Sequence, residues 1–220
     1  MKKLFILTIG LLISNVFFAQ SEITEGKITS IQKLTTKDPQ VQAQLDMMGD
    51  MYTETLFKGE NSFTQLDNPA SGKVTTIVNT DKKEMLLLMD NPAMGKVYSK
   101  TSLDLNEEEL KNIKVTEGDE VKTFLNYKCK QYFIEINKDG ATSKVMMFAT
   151  DALKIKSQQT TMFSDKISGF PLYIEMSMNQ MGMEMVVITE VTKIEKQEVS
   201  EELFNTAPPE GYKSMAPGTN

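Results

Sequence analysis

Five of the ten residues in MSMNQMGMEM, positions 176–185, are methionine. Clustered thioethers are soft ligands suited to copper(I). They are equally good as pliable apolar side chains that line an irregular cavity. Nothing else in the chain helps a metal reading: there is no histidine, and Cys129 is the only cysteine. All 24 basic residues are lysines. Without histidine there can be no Ser-His-Asp or Cys-His arrangement and no common zinc site. Without arginine there is no bidentate clamp for phosphate or carboxylate. No enzymatic activity and no cofactor are expected.

Three further strings have the look of chemistry. Ser30 and Lys33 in SIQK have the S-x-x-K spacing of serine acyl-transfer enzymes. However, the partner motifs S-D-N and K-T-G are absent, and Ser30 falls in the alternating run GKITSIQKLT, a strand rather than a helix. EINKDG places Glu135, Asn137, Asp139 and Gly140 at the opening spacing of a calcium loop. The closing ligand would be Met146, so an Asp-Gly turn between two strands is the better reading. NEEEL at 106–110 reads as the acidic first turn of a short helix. A lone cysteine excludes an intrachain disulfide, and between Tyr127 and Gln131 it reads as a small buried apolar residue.

The elements that must position the methionines follow from the rest of the chain. Residues 1–19 have the order of a secretory signal peptide: a basic MKK, the apolar run LFILTIGLLI, and a small residue, Ala19, before Gln20. No cysteine stands at the cleavage site, so a soluble periplasmic or secreted protein is expected, with no membrane span after cleavage. Loss of Lys2 and Lys3 takes the net charge from −6 to −8. That acidity, with lysines scattered rather than clustered, argues against nucleic acid as a partner. Residues 20–220 are expected to form one domain.

Its pattern is mainly β. Eleven runs rich in Val, Ile, Thr, Tyr, Phe or Met lie near 23–34, 53–58, 62–67, 73–79, 83–89, 96–102, 120–127, 130–137, 142–149, 170–178 and 183–196. Turn signals such as FKGENSF and NTDKKE separate them. One helix stands out: Asp38 is a natural N-cap, Pro39 fits the first helical position, and Val41, Leu45 and Met48 recur at helical spacing before Gly49. A second short helix begins near Ser200. The expected fold is α+β, dominated by a curved antiparallel sheet or half-open β-barrel with one or two helices on its concave face.

Reading NQMG as a four-residue hairpin loop sets Met178 opposite Met183 and Met176 opposite Met185. Alternation then gathers Ile174, Met176, Met178, Met183, Met185 and Val187 on one face. With Val41, Leu45 and Met48 of the helix, these six are the candidate lining of a hydrophobic cavity. Methionine is also spread over the helix and other strands, including Met85, Met89, Met94, Met146, Met147 and Met162. That distribution suits a core or a cavity better than a copper site.

Three blocks carry a family resemblance: NYKCKQYFIEI at 126–136, SGFPLYIEM at 168–176 and ITEVTKIEKQEVSEELFNTAPPEGYK at 188–213. They resemble the exported bacterial family named domain of unknown function 4412, although Asn126 stands where that family has glycine. The resemblance implies a fold similar to the lipoprotein carriers LolA and LolB, a half-open barrel with an apolar hollow; LolA keeps an arginine in that hollow, and this chain has none. Two main functions and one narrower alternative stay open. One is a binding protein that holds a lipid or acyl chain on the concave face. The other is a structural or partner-binding domain with a filled core, and a methionine-based copper(I) site is a third, narrower alternative.

Overall fold

In a computed structural model, β-branched and aromatic residues at alternating positions build twelve strands. The described residues are 23–68, 72–93, 95–104, 110–138, 141–161, 163, 166–180 and 183–215. The expected signal at 1–19, the acidic turn at 106–109, the Asp139–Gly140 turn and Met94, Met162 and Met181 lie outside them.

The chain runs β1 (Glu25–Thr36), α1 (Pro39–Met48), β2 (Met51–Lys58), β3 (Asn61–Asn68), β4 (Gly72–Asn79), β5 (Glu84–Asn91) and β6 (Gly95–Ser102). It continues through β7 (Ile113–Phe124), β8 (Tyr127–Lys138), β9 (Ala141–Thr150), a one-turn helix α2 (Gln158–Thr161), β10 (Phe170–Gln180) and β11 (Met183–Glu195). A 3-10 turn at Glu201–Phe204 and the short β12 (Lys213–Ser214) complete it. The strands form one large, curved, unclosed sheet, in the order β12-β6-β5-β4-β3-β2-β1-β11-β10-β9-β8-β7. Two antiparallel meanders, β1 to β6 and β7 to β11, are thus joined by a single seam between β1 and β11. Among the described residues, only β12 is parallel to its neighbour.

Local chemistry sets the helix ends. The Asp38 carboxylate accepts from the backbone N–H groups of Gln40 (2.8 Å) and Val41 (3.2 Å), and Gly49 ends α1 at a φ of 71°. The α1 helix perches over the end of the concave face and buries none of its residues fully; Val41 and Leu45 are half-buried and Met48 is 57% exposed.

The main cover of the concave face is the connection from β9 to β10. Its Phe163 and Ile167 pack on Ile113, Ile134, Val145 and Met147, while Leu153 and Ile155 join Ile28, Phe57, Leu172 and Val191. The connection is tied across to β3: the Lys156 amide donates to the Glu60 carbonyl (2.9 Å), and the Ser62 hydroxyl donates to the Lys156 carbonyl (2.6 Å). On the other face, the C-terminal segment lays Tyr212 against Ile77, Leu86 and Leu88. Ser200 caps the 3-10 turn by accepting from the Glu202 amide.

Cys129 is completely buried in the seam-side core, and burial pushes its thiol up to about 11. A thiol-specific reagent at pH 8 should therefore label the native protein only as fast as it unfolds, while denatured protein labels at once. Rapid labelling of native protein would contradict this packing.

Candidate functional site

The concave face can be followed row by row through the pairing register. One row crosses the seam as Val191, Ser30, Thr53, Leu66 and Val74; the next runs Ile28, Thr55, Thr64 and Thr76. Toward the open end come Ile174, Thr189, Gln32 and Met51, then Met176, Val187 and Leu34, then Met178, Met185 and Thr36. Over β8 and β9 the face is filled by the covering connection, and Met147 there is wholly buried. Over β1 to β4 it is not. A hollow of about 230 Å³ lies between these four strands, the start of β10 and Ser157.

Its lining departs from the apolar cavity expected. Hydroxyls of Ser30, Thr53, Thr55, Thr64, Thr76 and Thr189, together with the Gln32 amide, face Phe170, Leu172 and Ile174. The Thr55 and Thr64 hydroxyls are hydrogen-bonded to each other at 2.9 Å. No lining residue carries a charge. Alternation explains why: the charged neighbours on the same strands, such as Lys27 and Glu54, paired at 3.1 Å, point to the opposite face.

Of the candidate residues, Ile174 lines the hollow directly. Met176, Met178, Met185 and Val187 continue the same face toward the rim, all half-buried. The hairpin register differs from the expectation: Met178 pairs with Met185, Met176 with Val187, and Met183 with Gln180. The strands run on to Gln180 and resume at Met183, so the connection spans two residues instead of four. The shift is two residues in sum, which leaves faces unchanged. Leu45 and Met48 of α1 line a separate gap of about 140 Å³ with Leu34 and Met51, and Val41 stands half-buried one turn before them. The hydroxyl rows carry little signal in the sequence because threonine is an ordinary strand former; alternate hydroxyls occur at Thr53 and Thr55 of β2 and at Ser62 and Thr64 of β3, while β4 adds only Thr76 between Val74 and Val78.

The other strings resolve simply. Ser30 is buried on the concave face while Lys33 points away and approaches Asp50 at 3.6 Å, so the S-x-x-K pair never meets. Among the described residues, no group of three His, Cys, Asp or Glu side chains could hold a metal ion, and no helix is long and apolar enough to cross a membrane.

No protein-family model matches the chain, and no curated protein sequence matches it. Among solved structures it is similar to PNGF-II in two crystal forms. The C2 form has 12% identity and a TM-score of 0.44, covering 86% of this chain and 31% of that one. The P21 form has 14% identity and a TM-score of 0.49, covering 86% and 32%. The lipoprotein LppX of Mycobacterium tuberculosis has 7% identity and a TM-score of 0.32, covering 80% and 89%. This chain spans about a third of the length of PNGF-II. With every score below 0.5, the reading of the site rests on this chain's own residues.

If Met178 and Met185 are apolar lining, copper(I) should be lost to a competing chelator of micromolar affinity, and Met178→Leu with Met185→Leu should change nothing. These swaps conserve volume and cost less than about 1.5 kcal/mol each. Stoichiometric copper retention, abolished in the double variant, would overturn this assignment.

Proposed function

We propose that this chain is an exported, non-catalytic binding domain that holds a lipid or other aliphatic ligand against the concave face of its sheet. The observation that supports this most is the unfilled part of that face. A hollow of about 230 Å³ opens beside consecutive rows of half-buried Met176, Met178, Met185, Val187, Leu34 and Met51. Unbranched thioethers adapt to an irregular aliphatic partner at low cost. Export is supported by the order of residues 1–19, and the resemblance to the exported family of unknown function agrees with it.

A structural domain with a filled core is the second reading. It draws on the covering connection, which already packs Phe163 and Ile167 onto β8 and β9.

Met178→Glu separates the two. In an open hollow the carboxylate keeps its water, so the melting temperature should fall by no more than about 4 °C while uptake of an apolar fluorescent probe is lost. In a sealed core the unpaired acid would cost several kcal/mol. Collapse of folding, with no probe uptake by the wild type, would favour the filled sheet.

A further inference from the structure

The hollow sets a band of hydroxyls from β1 to β4 against an apolar wall of Phe170, Leu172 and Ile174, an amphiphilic lining rather than a purely apolar one. Elsewhere on the same strands, concave positions are Ile28, Phe57 and Val78, the side chains that fill a hydrophobic interior. At its centre, however, Thr55, Thr64 and Thr76 stand in register across three adjacent strands, with Ser30 beside Thr53 in the next row. Ser30, Thr55 and Thr76 are buried to within 6–7% of full burial. Among the described residues no buried side-chain oxygen or nitrogen is left unpaired, so these hydroxyls are partnered within the protein and offer a ligand their spare capacity. In the Thr55–Thr64 pair, one proton joins the two oxygens; the second proton and the remaining lone pairs stay available.

We propose that the ligand enters head first: a neutral, hydroxyl-rich head group, such as the sugar or glycerol of an uncharged glycolipid or acylglycerol, occupies this hollow, and its aliphatic chain runs out over the methionine rows. The inference rests on the binding function proposed above and fixes the polarity of its ligand. Three features carry it. First, the donors and acceptors are neutral hydroxyls and one amide, in the pattern that pairs with another polyol. Second, no lining residue is charged, so an anionic head would be stripped of water without a counter-ion. Third, about 230 Å³ falls below the ~300–1,000 Å³ of sites that enclose a whole small molecule, so only one end of an amphiphile fits inside. The exit is apolar: Ile174 at the wall of the hollow is followed on the same face by Met176 and Met178, flanked by Val187 and Met185.

The test titrates the full-length mature protein with decyl glucoside, decanoate and methyl glucoside below their micelle concentrations, alongside an apolar fluorescent probe. Decyl glucoside should bind at least about tenfold more tightly than ionised decanoate at pH 7, the ratio expected of one or two added hydrogen bonds. Methyl glucoside, which lacks the tail, should bind at least about a hundredfold more weakly than decyl glucoside. Thr55→Val with Thr64→Val, which removes both hydroxyls of the pair, should lower decyl glucoside affinity about tenfold and leave the probe unaffected. If that variant does not fold, the comparison of head groups on wild-type protein decides alone. Equal binding of decyl glucoside and decanoate, with probe uptake intact, would overturn the head-first inference and spare the binding function. Equal binding of methyl and decyl glucoside would overturn it in favour of a free-sugar site. No binding of any ligand or probe would remove the binding function and this inference together.

Discussion

The seam between β1 and β11 is the pairing on which the rest of the molecule depends. Almost every other long-strand contact is a hairpin between chain neighbours, favoured by short loops. The seam instead joins strands near opposite ends of the chain, in a ladder from Lys27 and Glu195 to Thr36 and Met185. Closing a loop that long has an entropic cost that only slow, non-local pairing recovers. The sequence reflects the closeness of the fit. A Cβ on Gly26 would stand 2.3 Å from the Glu195 carbonyl oxygen, so the strands approach to a distance that only glycine permits. Thr192 is the extra residue of a bulge opposite Thr29 and Ser30, and it bends the seam where the hollow begins.

The same seam brings together two surfaces of different chemistry. The β1–β4 side contributes hydroxyls, and the β10–β11 side contributes Leu172, Ile174, Val191 and the methionines. The division is one of emphasis, since Leu66 and Val74 add apolar wall on the first side and Thr189 a hydroxyl on the second. The connection between β9 and β10 covers one end of the resulting trough and leaves the other open beneath α1. A half-covered sheet would otherwise be a liability, because buried hydroxyls in place of valines forgo apolar burial. The arrangement is economical if the trough is meant to be occupied by a molecule with a polar end and an apolar end.

Much of this was legible in the sequence. All eleven long strands were readable from alternation and turn residues, most within two residues of their ends. The helix was readable from Asp38, Pro39 and Gly49. Alternation alone puts Met176, Met178 and Met185 on one face whatever the loop length, because a slip that moves the pairing by an even number of residues preserves faces. What escaped was non-local or aperiodic. β7 begins at Ile113 rather than near 120, because Gly118 and the acidic residues around it interrupt the alternation at a bulge between Glu117 and Val121. The covering connection at 151–169 has no period, and its role is set by Phe163 and Ile167 finding β8 and β9. The seam leaves no local signature at all, so the hydroxyl rows of β1 to β4 could not be placed opposite the apolar rows of β10 and β11.

The central claim is that the trough over the seam is a ligand site and not incompletely packed core. Native mass spectrometry of the protein isolated from the compartment where it accumulates tests this directly. The account predicts a fraction of molecules carrying a non-covalent, uncharged amphiphile of several hundred daltons, released by mild collisional activation. Only the bare polypeptide mass, under conditions in which a known lipid carrier keeps its cargo, would contradict it.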